Sequence, residues 1–354
     1  MPTRRVAIVG ASGNVGTALL RHLVADPEFF DVLGISRRTP HGPPYESADW
    51  REIDIAAAGG AQVVESIAQA VSGYDAIVHL VWAIQPNTRR DVIRQTNVEG
   101  TRRVLEAAAL AGVPHVVVAS SVAAYSPSPG PELRDESHPT HGIRTSHYSV
   151  DKAAQERLLA EFGLAHPELS VASMRTSLVF QADAGAEVAR LFVGPLAPLG
   201  PLLSGRLPVV SLPRGLRLQA THADDIASAY AAVLRAGASG PFNVAAEPLL
   251  DGHDLAGMLG SGRLLELPSS AIRPLLHLAW RARLVAADPG WLDMAMNAPV
   301  MDTTRIRELG WRETRSAREA TLDVIAGMRS RIGTGSPVLR AGDRMLDDGD
   351  LRRR

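Results

Sequence analysis

Seven residues near the start of the chain, Gly10-Ala11-Ser12-Gly13-Asn14-Val15-Gly16, constrain its fold more than any others. They join an apolar run, Arg4–Val9, to a segment over Asn14–Leu23 in which Val15, Leu19, Leu20 and Leu23 share one helical side. Glycines at a strand–helix junction allow a tight turn, close packing of helix on strand and the approach of a pyrophosphate to bare backbone. The helix start then offers unpaired N–H groups and the positive end of its dipole to the phosphates. The spacing is GxxGxxG rather than GxGxxG, and a plain packing turn is the competing reading. Its place after the first strand favours a dinucleotide.

The pattern continues as alternation. Asp31–Ser36, Ala76–Val81 and His115–Ser120 read as strands, Ile53–Ile55 as a short one, and Thr88–Leu110 as a helix. A loop rich in Pro, Ser and His fills 126–146, and a helix over Tyr148–Phe162 and a strand over Ser170–Arg175 follow. Strands apolar throughout, alternating with helices, predict an α/β fold with a Rossmann-type, doubly wound parallel sheet covered on both faces. From Gly194 to Pro213 proline and glycine crowd together and regularity falls. The expected division is a nucleotide-binding domain over 1–175 and a smaller, irregular C-terminal substrate-binding domain over 176–332. Residues 215–247 are expected to interleave with the sheet, and 333–354, poor in apolar side chains, to form a flexible tail.

A formal net charge of −1 gives no electrostatic case for nucleic acid or a membrane as partner. No apolar run approaches the roughly 20 residues that cross a bilayer. The absence of cysteine removes disulfides, thiolate zinc sites and thiol nucleophiles together. It fits a reducing compartment, and with no secretory pattern ahead of Val6-Ala7-Ile8-Val9 the expectation is a cytoplasmic protein. His79, His138, His141, His147 and His222 form no i,i+4 pair or histidine–carboxylate cluster of zinc-like spacing, so no metal is expected.

The chain holds 37 Lys and Arg residues, and Lys152 is the only lysine. It lies four residues after Tyr148, on the same helix face. A free phenol, with a pKa of about 10, is a poor acid or base at neutral pH. A neighbouring ammonium and an oxidised nicotinamide favour the phenolate, which then exchanges a proton with a carbinol or carbonyl oxygen. Ser120-Ser121 end a strand at the sheet edge where ligands bind in open α/β folds, and a hydroxyl there suits the substrate oxygen. At the end of the second strand stand Ser36-Arg37-Arg38, where a site for NAD usually carries an acidic residue for the ribose 2′-hydroxyl. Guanidinium groups suit a 2′-phosphate, so NADP is expected over NAD; two solvated surface arginines are the alternative. Asp54 is placed to accept a hydrogen bond from the adenine amino group, or to cap a turn.

Several ordered segments carry a family likeness: Gly10, Gly13 and Gly16; Asp54-Ile55; His79-Leu80-Val81-Trp82; Asn97-Val98-Glu99-Gly100-Thr101; Ser120-Ser121-Val122-Ala123-Ala124-Tyr125; and Tyr148 with Lys152. Weaker matches follow at Met174-Arg175, Thr221-His222-Ala223-Asp224-Asp225 and Phe242-Asn243-Val244-Ala245. Over roughly residues 4–330 the chain resembles the extended short-chain dehydrogenase/reductase family, also described as the NAD-dependent epimerase/dehydratase family. The resemblance implies an enzyme with Ser121, Tyr148 and Lys152 as catalytic residues, Asn97 supporting the cofactor or a proton-relay water. It places cofactor contacts at Gly10, Ser12, Gly13, Asn14, Val15, Gly16, Ser36, Arg37, Arg38, Asp54, Ile55, Leu80, Val81, Trp82, Asn97, Ser120, Tyr148, Lys152, Thr176 and Ser177. It also implies a homodimer through the helices bearing Asn97 and Tyr148.

Departures narrow the activity. Leu178 stands where sugar-nucleotide enzymes of the family carry a substrate-binding asparagine. Val122 and Ala123 occupy the places of the acid and base that dehydratases use to eliminate water, and neither moves a proton. The expected function is an NAD(P)-dependent carbonyl reductase or alcohol dehydrogenase acting on a small or moderately apolar substrate. A nucleotide-sugar epimerase is the alternative; a non-catalytic NADP-binding regulator is the alternative of another class.

Overall fold

A computed structural model describes residues 3–85, 88–193 and 205–341. Its centre is a sheet of seven strands, β1 (Arg4–Val9), β2 (Phe30–Ser36), β3 (Asp49–Glu52), β4 (Ala76–His79), β5 (His115–Ala119), β6 (Ser170–Thr176) and β7 (Gly240–Val244). All pair in parallel, in the order β7-β6-β5-β4-β1-β2-β3. The chain winds outward from β1 to β3, returns, and continues from β4 on the other side. The order therefore reverses between β1 and β4, which opens a crevice beyond their carboxyl ends. Gly10 and Leu80 sit at that crevice, with Leu80 N–H donating to the Val9 carbonyl at 2.8 Å.

The interior strands are apolar on both sides because both faces are covered. Helices α1 (Asn14–Val24) and α5 (Ala223–Ala236) cover one face, where Leu19, Leu20, Leu23, Ile226, Tyr230 and Val233 are buried against β1 and β7. Helices α2 (Gly60–Ala70), α3 (Gly100–Ala111) and α4 (His147–Ala165) cover the other with Ile67, Val104, Leu105 and Leu158. Each such side chain contributes about 1.5–3 kcal/mol by leaving water, which holds the two layers on the sheet. The stretch 215–247 thus supplies both a covering helix and the last strand. Helices α6 (Ser269–Arg281), α7 (Pro289–Asn297) and α8 (Ala317–Ser330), with short two-stranded pairs, build the C-terminal region. Among the described residues no helix is long and apolar enough to cross a membrane.

Three local expectations differ. The third strand is Asp49–Glu52, not Ile53–Ile55: Asp54 accepts from the Ala56 N–H, and Arg103 holds the Ile55 and Ala57 carbonyls at 2.8 Å, so the chain turns there. The helix expected over Thr88–Leu110 is broken into Arg90–Arg94, a π-helical turn at Gln95–Glu99, and α3. Of the expected tail, residues 333–341 are packed: Ser336 is 2% and Leu339 1% exposed. The Ser336 hydroxyl donates to the Ser12 carbonyl at 2.6 Å, so this segment lies on the glycine turn. Residues 342–354, and 194–204 of the Pro- and Gly-rich stretch, fall outside the described residues.

Candidate active site

The glycine turn and the carboxyl end of β4 meet directly. Gly10 has φ +95°, a conformation that favours glycine, and a Cβ there would stand 3.0 Å from Val81. A Cβ on Gly16 would be 2.2 Å from the Gly10 carbonyl, so helix α1 closes on the turn only with hydrogen at that place. Gly13 differs from both. Its φ is −81°, and a Cβ would meet only the Gly10 carbonyl at 3.5 Å, an ordinary contact. Nothing in the chain requires glycine at 13, and the space is that of a ligand's approach to backbone. The first turn of α1 has no side-chain cap and no acidic residue, so its N–H groups and dipole are available to an anion. These features fit the diphosphate of a dinucleotide.

The strand end β5 and helix α4 bring the reactive side chains together. Ser121 follows β5, and its Oγ accepts from the Ala123 N–H at 3.2 Å, closing a short 3₁₀ turn. Ser146 caps α4 and so fixes Tyr148 in the first turn. Burial raises the Tyr148 pKa, and a hydrogen bond with Ser121 draws it back down. Lys152 is 2% exposed; burial drives its pKa well below the ordinary lysine range, with Glu156 acting against the shift. Its Nζ donates to the Ala119 carbonyl at 2.7 Å and to Gln155 Oε1 at 3.1 Å, and lies 3.5 Å from the centre of the Trp82 ring.

Around the phenol lies an aromatic wall. Trp82 and Trp291 have ring centres 5.9 and 5.0 Å from that of Tyr148, and Phe192 packs edge-on against Trp291 at 4.8 Å. His147 meets the Asp288 carboxylate through Nδ1 at 3.0 Å. Three polar atoms in this wall, Trp82 Nε1, Trp291 Nε1 and His147 Nε2, are buried without a hydrogen-bond partner. Unsatisfied buried groups are costly, about 1–3 kcal/mol each, and three of them fall in this wall.

The other expected residues divide. Leu80, Val81 and Trp82 lie at the crevice, between the glycine turn and Lys152. Arg37 and Arg38 are exposed at the end of β2, where Ser36 Oγ donates to the Arg38 carbonyl at 2.8 Å. Asn14 is tied to the Val179 carbonyl and to Gln181. Ser177 Oγ pairs with Thr221 at 2.7 Å, beside the end of β6 at Thr176. Asn97 sits in the π-helical turn with its amide bonded at both ends to Ala83, N–H to oxygen at 2.7 Å and amide to carbonyl at 2.9 Å. It fixes the loop after Trp82, which makes it a positioning residue. Ser120 is turned away from the crevice into a buried cluster of Glu156, Ser173 and Arg175. Burial works to raise the Glu156 pKa, but Arg175 and the two serines hold it below the usual carboxylate range. Trp291, Phe192 and Asp288 were absent from the sequence reading: they lie 44 to 143 residues from Tyr148 in the chain, and no local spacing marks them.

The sequence model of the NAD dependent epimerase/dehydratase family matches residues 6–245. Among curated proteins, an N-acetyl-alpha-D-glucosaminyl-diphospho-ditrans,octacis-undecaprenol 4-epimerase of Escherichia coli O157:H7 is 31% identical over 182 residues, 49% of this chain and 49% of that protein. An L-arabinose 1-dehydrogenase (NAD(P)(+)) of Haloferax volcanii is 32% identical over 117 residues, 33% of this chain and 41% of its own length. The chain thus spans about half the length, or less, of these two relatives. Among solved structures, a UDP-glucose 4-epimerase of Thermus thermophilus in complex with NAD superimposes with a TM-score of 0.66 at 18% identity, covering 93% of this chain and 100% of that one. A dTDP-glucose 4,6-dehydratase from Streptomyces venezuelae gives 0.66 at 21%, covering 92% and 97%.

Proposed function

The chain belongs to the NAD dependent epimerase/dehydratase family, and from that premise we propose that it is a sugar epimerase working on a diphosphate-linked sugar. The observation that carries this reading is the set of three unpartnered buried nitrogens around Tyr148. A polyhydroxylated ring satisfies them, and a small apolar carbonyl does not, so the expected carbonyl reductase gives way to the epimerase. The 4-epimerase and the sugar dehydrogenase among the relatives support the same substrate class.

A nicotinamide dinucleotide bound at the glycine turn supplies the hydride acceptor and donor. Tyr148 takes the proton from the sugar hydroxyl and later returns it, while Ser121 holds that oxygen. Trp82 and Trp291 offer flat surfaces on which the ring, as a ketone, turns to present its other face. Val122 and Ala123 leave water elimination without an acid or base. Arg37 and Arg38, exposed and without a partner among the described residues, support NADP over NAD. Val92, Leu110, Val150 and Leu164, exposed on the helices that carry Asn97 and Tyr148 or continue from them, support a homodimer.

The test is incubation with diphospho-sugars and catalytic NAD or NADP. Epimer interconversion without net reduced nicotinamide is the expected result, and Tyr148→Phe abolishes it while cofactor binding stays within about twofold. Stoichiometric accumulation of reduced nicotinamide instead makes the protein a dehydrogenase. A Tyr148→Phe variant as active as the parent ends the catalytic reading altogether.

A further inference from the structure

Helix α6 has no buried residue along its length. Ala271, Leu275, Leu278 and Ala282, at i, i+4, i+7 and i+11, form one stripe reaching just past the helix end, and all four are exposed. Leu275 is 66% and Leu278 64% exposed, and Leu284 continues the patch. On another side Arg273 grips the Asp293 carboxylate of α7 with two nitrogens, which fastens the helix to the body and leaves the stripe turned outward.

Between the two sides His277, Trp280 and Arg281 line a cavity of about 680 Å³, shared with Arg283 and Gln85. Gln85 donates to the Ala286 carbonyl, so the loop that leaves Trp82 and the segment that leads to Asp288 form one wall. The cavity therefore borders the active site. From Glu266 to Asp288 the sequence holds three arginines, a histidine and no intervening acidic residue, in a chain whose net charge is −1. Arg281 and Arg283 have no partner among the described residues. Arg283 has φ +61°, and its N–H and that of Leu284 close the helix on the Trp280 and Ala279 carbonyls, a position where glycine is usual. An arginine at that place is accounted for by where its side chain goes, the cavity.

An outward apolar stripe flanked by arginines and a tryptophan is the pattern of a helix lying in the headgroup boundary of a bilayer. We propose that α6 docks this protein on an anionic lipid bilayer, with the neighbouring cavity turned to that surface so that a sugar carried on a lipid diphosphate enters from it. The entry of such a sugar rests on the epimerase reading; the docking does not. The whole-chain charge that argued against a membrane partner averages away this local excess of cations.

The experiment is co-sedimentation of the full-length protein with vesicles of phosphatidylcholine containing about a third phosphatidylglycerol, beside vesicles of phosphatidylcholine alone. Binding to the first at least tenfold above the second is expected. Leu275→Glu with Leu278→Glu should lower it about tenfold or more, and Arg281→Ala with Arg283→Ala should remove the preference for the anionic vesicles. Both double variants alter exposed side chains and should keep the parent's circular dichroism and melting temperature. Parent protein that stays in the supernatant, or a leucine variant that sediments like the parent, overturns the proposal. So does a lipid-free dimer that the leucine variant dissolves, since the stripe then belongs to a second copy. No turnover enters the measurement, so its failure leaves the epimerase reading standing, and the failure of that reading leaves the docking intact.

Discussion

Gly10, Gly13 and Gly16 are alike in sequence and answer to different demands. Gly10 is required by its backbone, Gly16 by the 2.2 Å that a Cβ would leave to a carbonyl, and Gly13 by neither. Gly16→Ala should therefore destabilise the fold by about 1–3 kcal/mol, the usual range for overpacking. Gly13→Ala should leave stability within about 0.5 kcal/mol and weaken NAD or NADP binding at least tenfold. Thermal melts and cofactor titration separate the two, and a Gly13→Ala variant that binds cofactor normally would remove that residue from the site. At this scale the sequence is informative where chemistry demands a residue type. The only lysine, four after a tyrosine, singles out the helix proposed to carry the reaction, because few other residues serve there. What surrounds it is less legible. Trp291 reaches Tyr148 from a separate region of the chain, and the spacing between them is free to vary with the loops.

Among the elements, the strands with two covered faces announce themselves as unbroken apolar runs, and β1 has the expected bounds. Strand β3, Asp-Trp-Arg-Glu at the sheet edge, is mostly exposed and carries no apolar signature, so pairing with β2 alone defines it. The π-helical turn at Asn97 is equally silent, because one extra residue in a helix leaves its composition unchanged. The segment 333–341 misleads for another reason: one buried leucine, Leu339, and a few hydrogen bonds hold it, too little apolar area to stand out in the sequence. Thr334 pairs with Tyr45 Oη at 2.8 Å, Tyr45 with Thr17 at 3.0 Å, and Ser336 with the Ser12 carbonyl. This strap braces the glycine turn, the proposed diphosphate site. Leu339→Asp, which puts a carboxylate at a position 1% exposed, should release it and speed cofactor dissociation severalfold in stopped-flow fluorescence. An unchanged or slower dissociation would free the strap of any part in binding.

For the molecule as a whole, the two buried histidines of the sheet set the acid limit. His115 donates from Nε2 to the Ala238 carbonyl and accepts from Arg4 at Nδ1, so both ring nitrogens are committed in the neutral form. Burial, with Arg4 adding to it, lowers its pKa to about 4. His79 lies behind the glycine crevice, and burial together with Lys152 lowers its pKa to about 3. Below the ordinary 6.5 the unfolded chain protonates both while the folded chain does not, so unfolding takes up protons. Their stabilisation is complete above about pH 6.5 and declines as pH falls toward 4, by about 1.4 kcal/mol per histidine per pH unit. Glu156, its pKa depressed by Arg175 in spite of burial, adds to the loss only below the ordinary carboxylate range. Glu187, whose pKa burial raises to about 7, works the other way: the folded chain binds its proton first, which offsets about one histidine between pH 7 and 4.5. Urea unfolding should therefore show stability falling between pH 6 and 4.5 by about one histidine's share, not two. His115→Gln should be less stable than the parent at pH 7.5, yet lose most of the parent's slope between those pH values, because His79 and Glu187 then nearly cancel. A variant with the full slope would mean that His115 is protonated alike in the folded and unfolded chains, and would shift the acid limit onto the ion pairs.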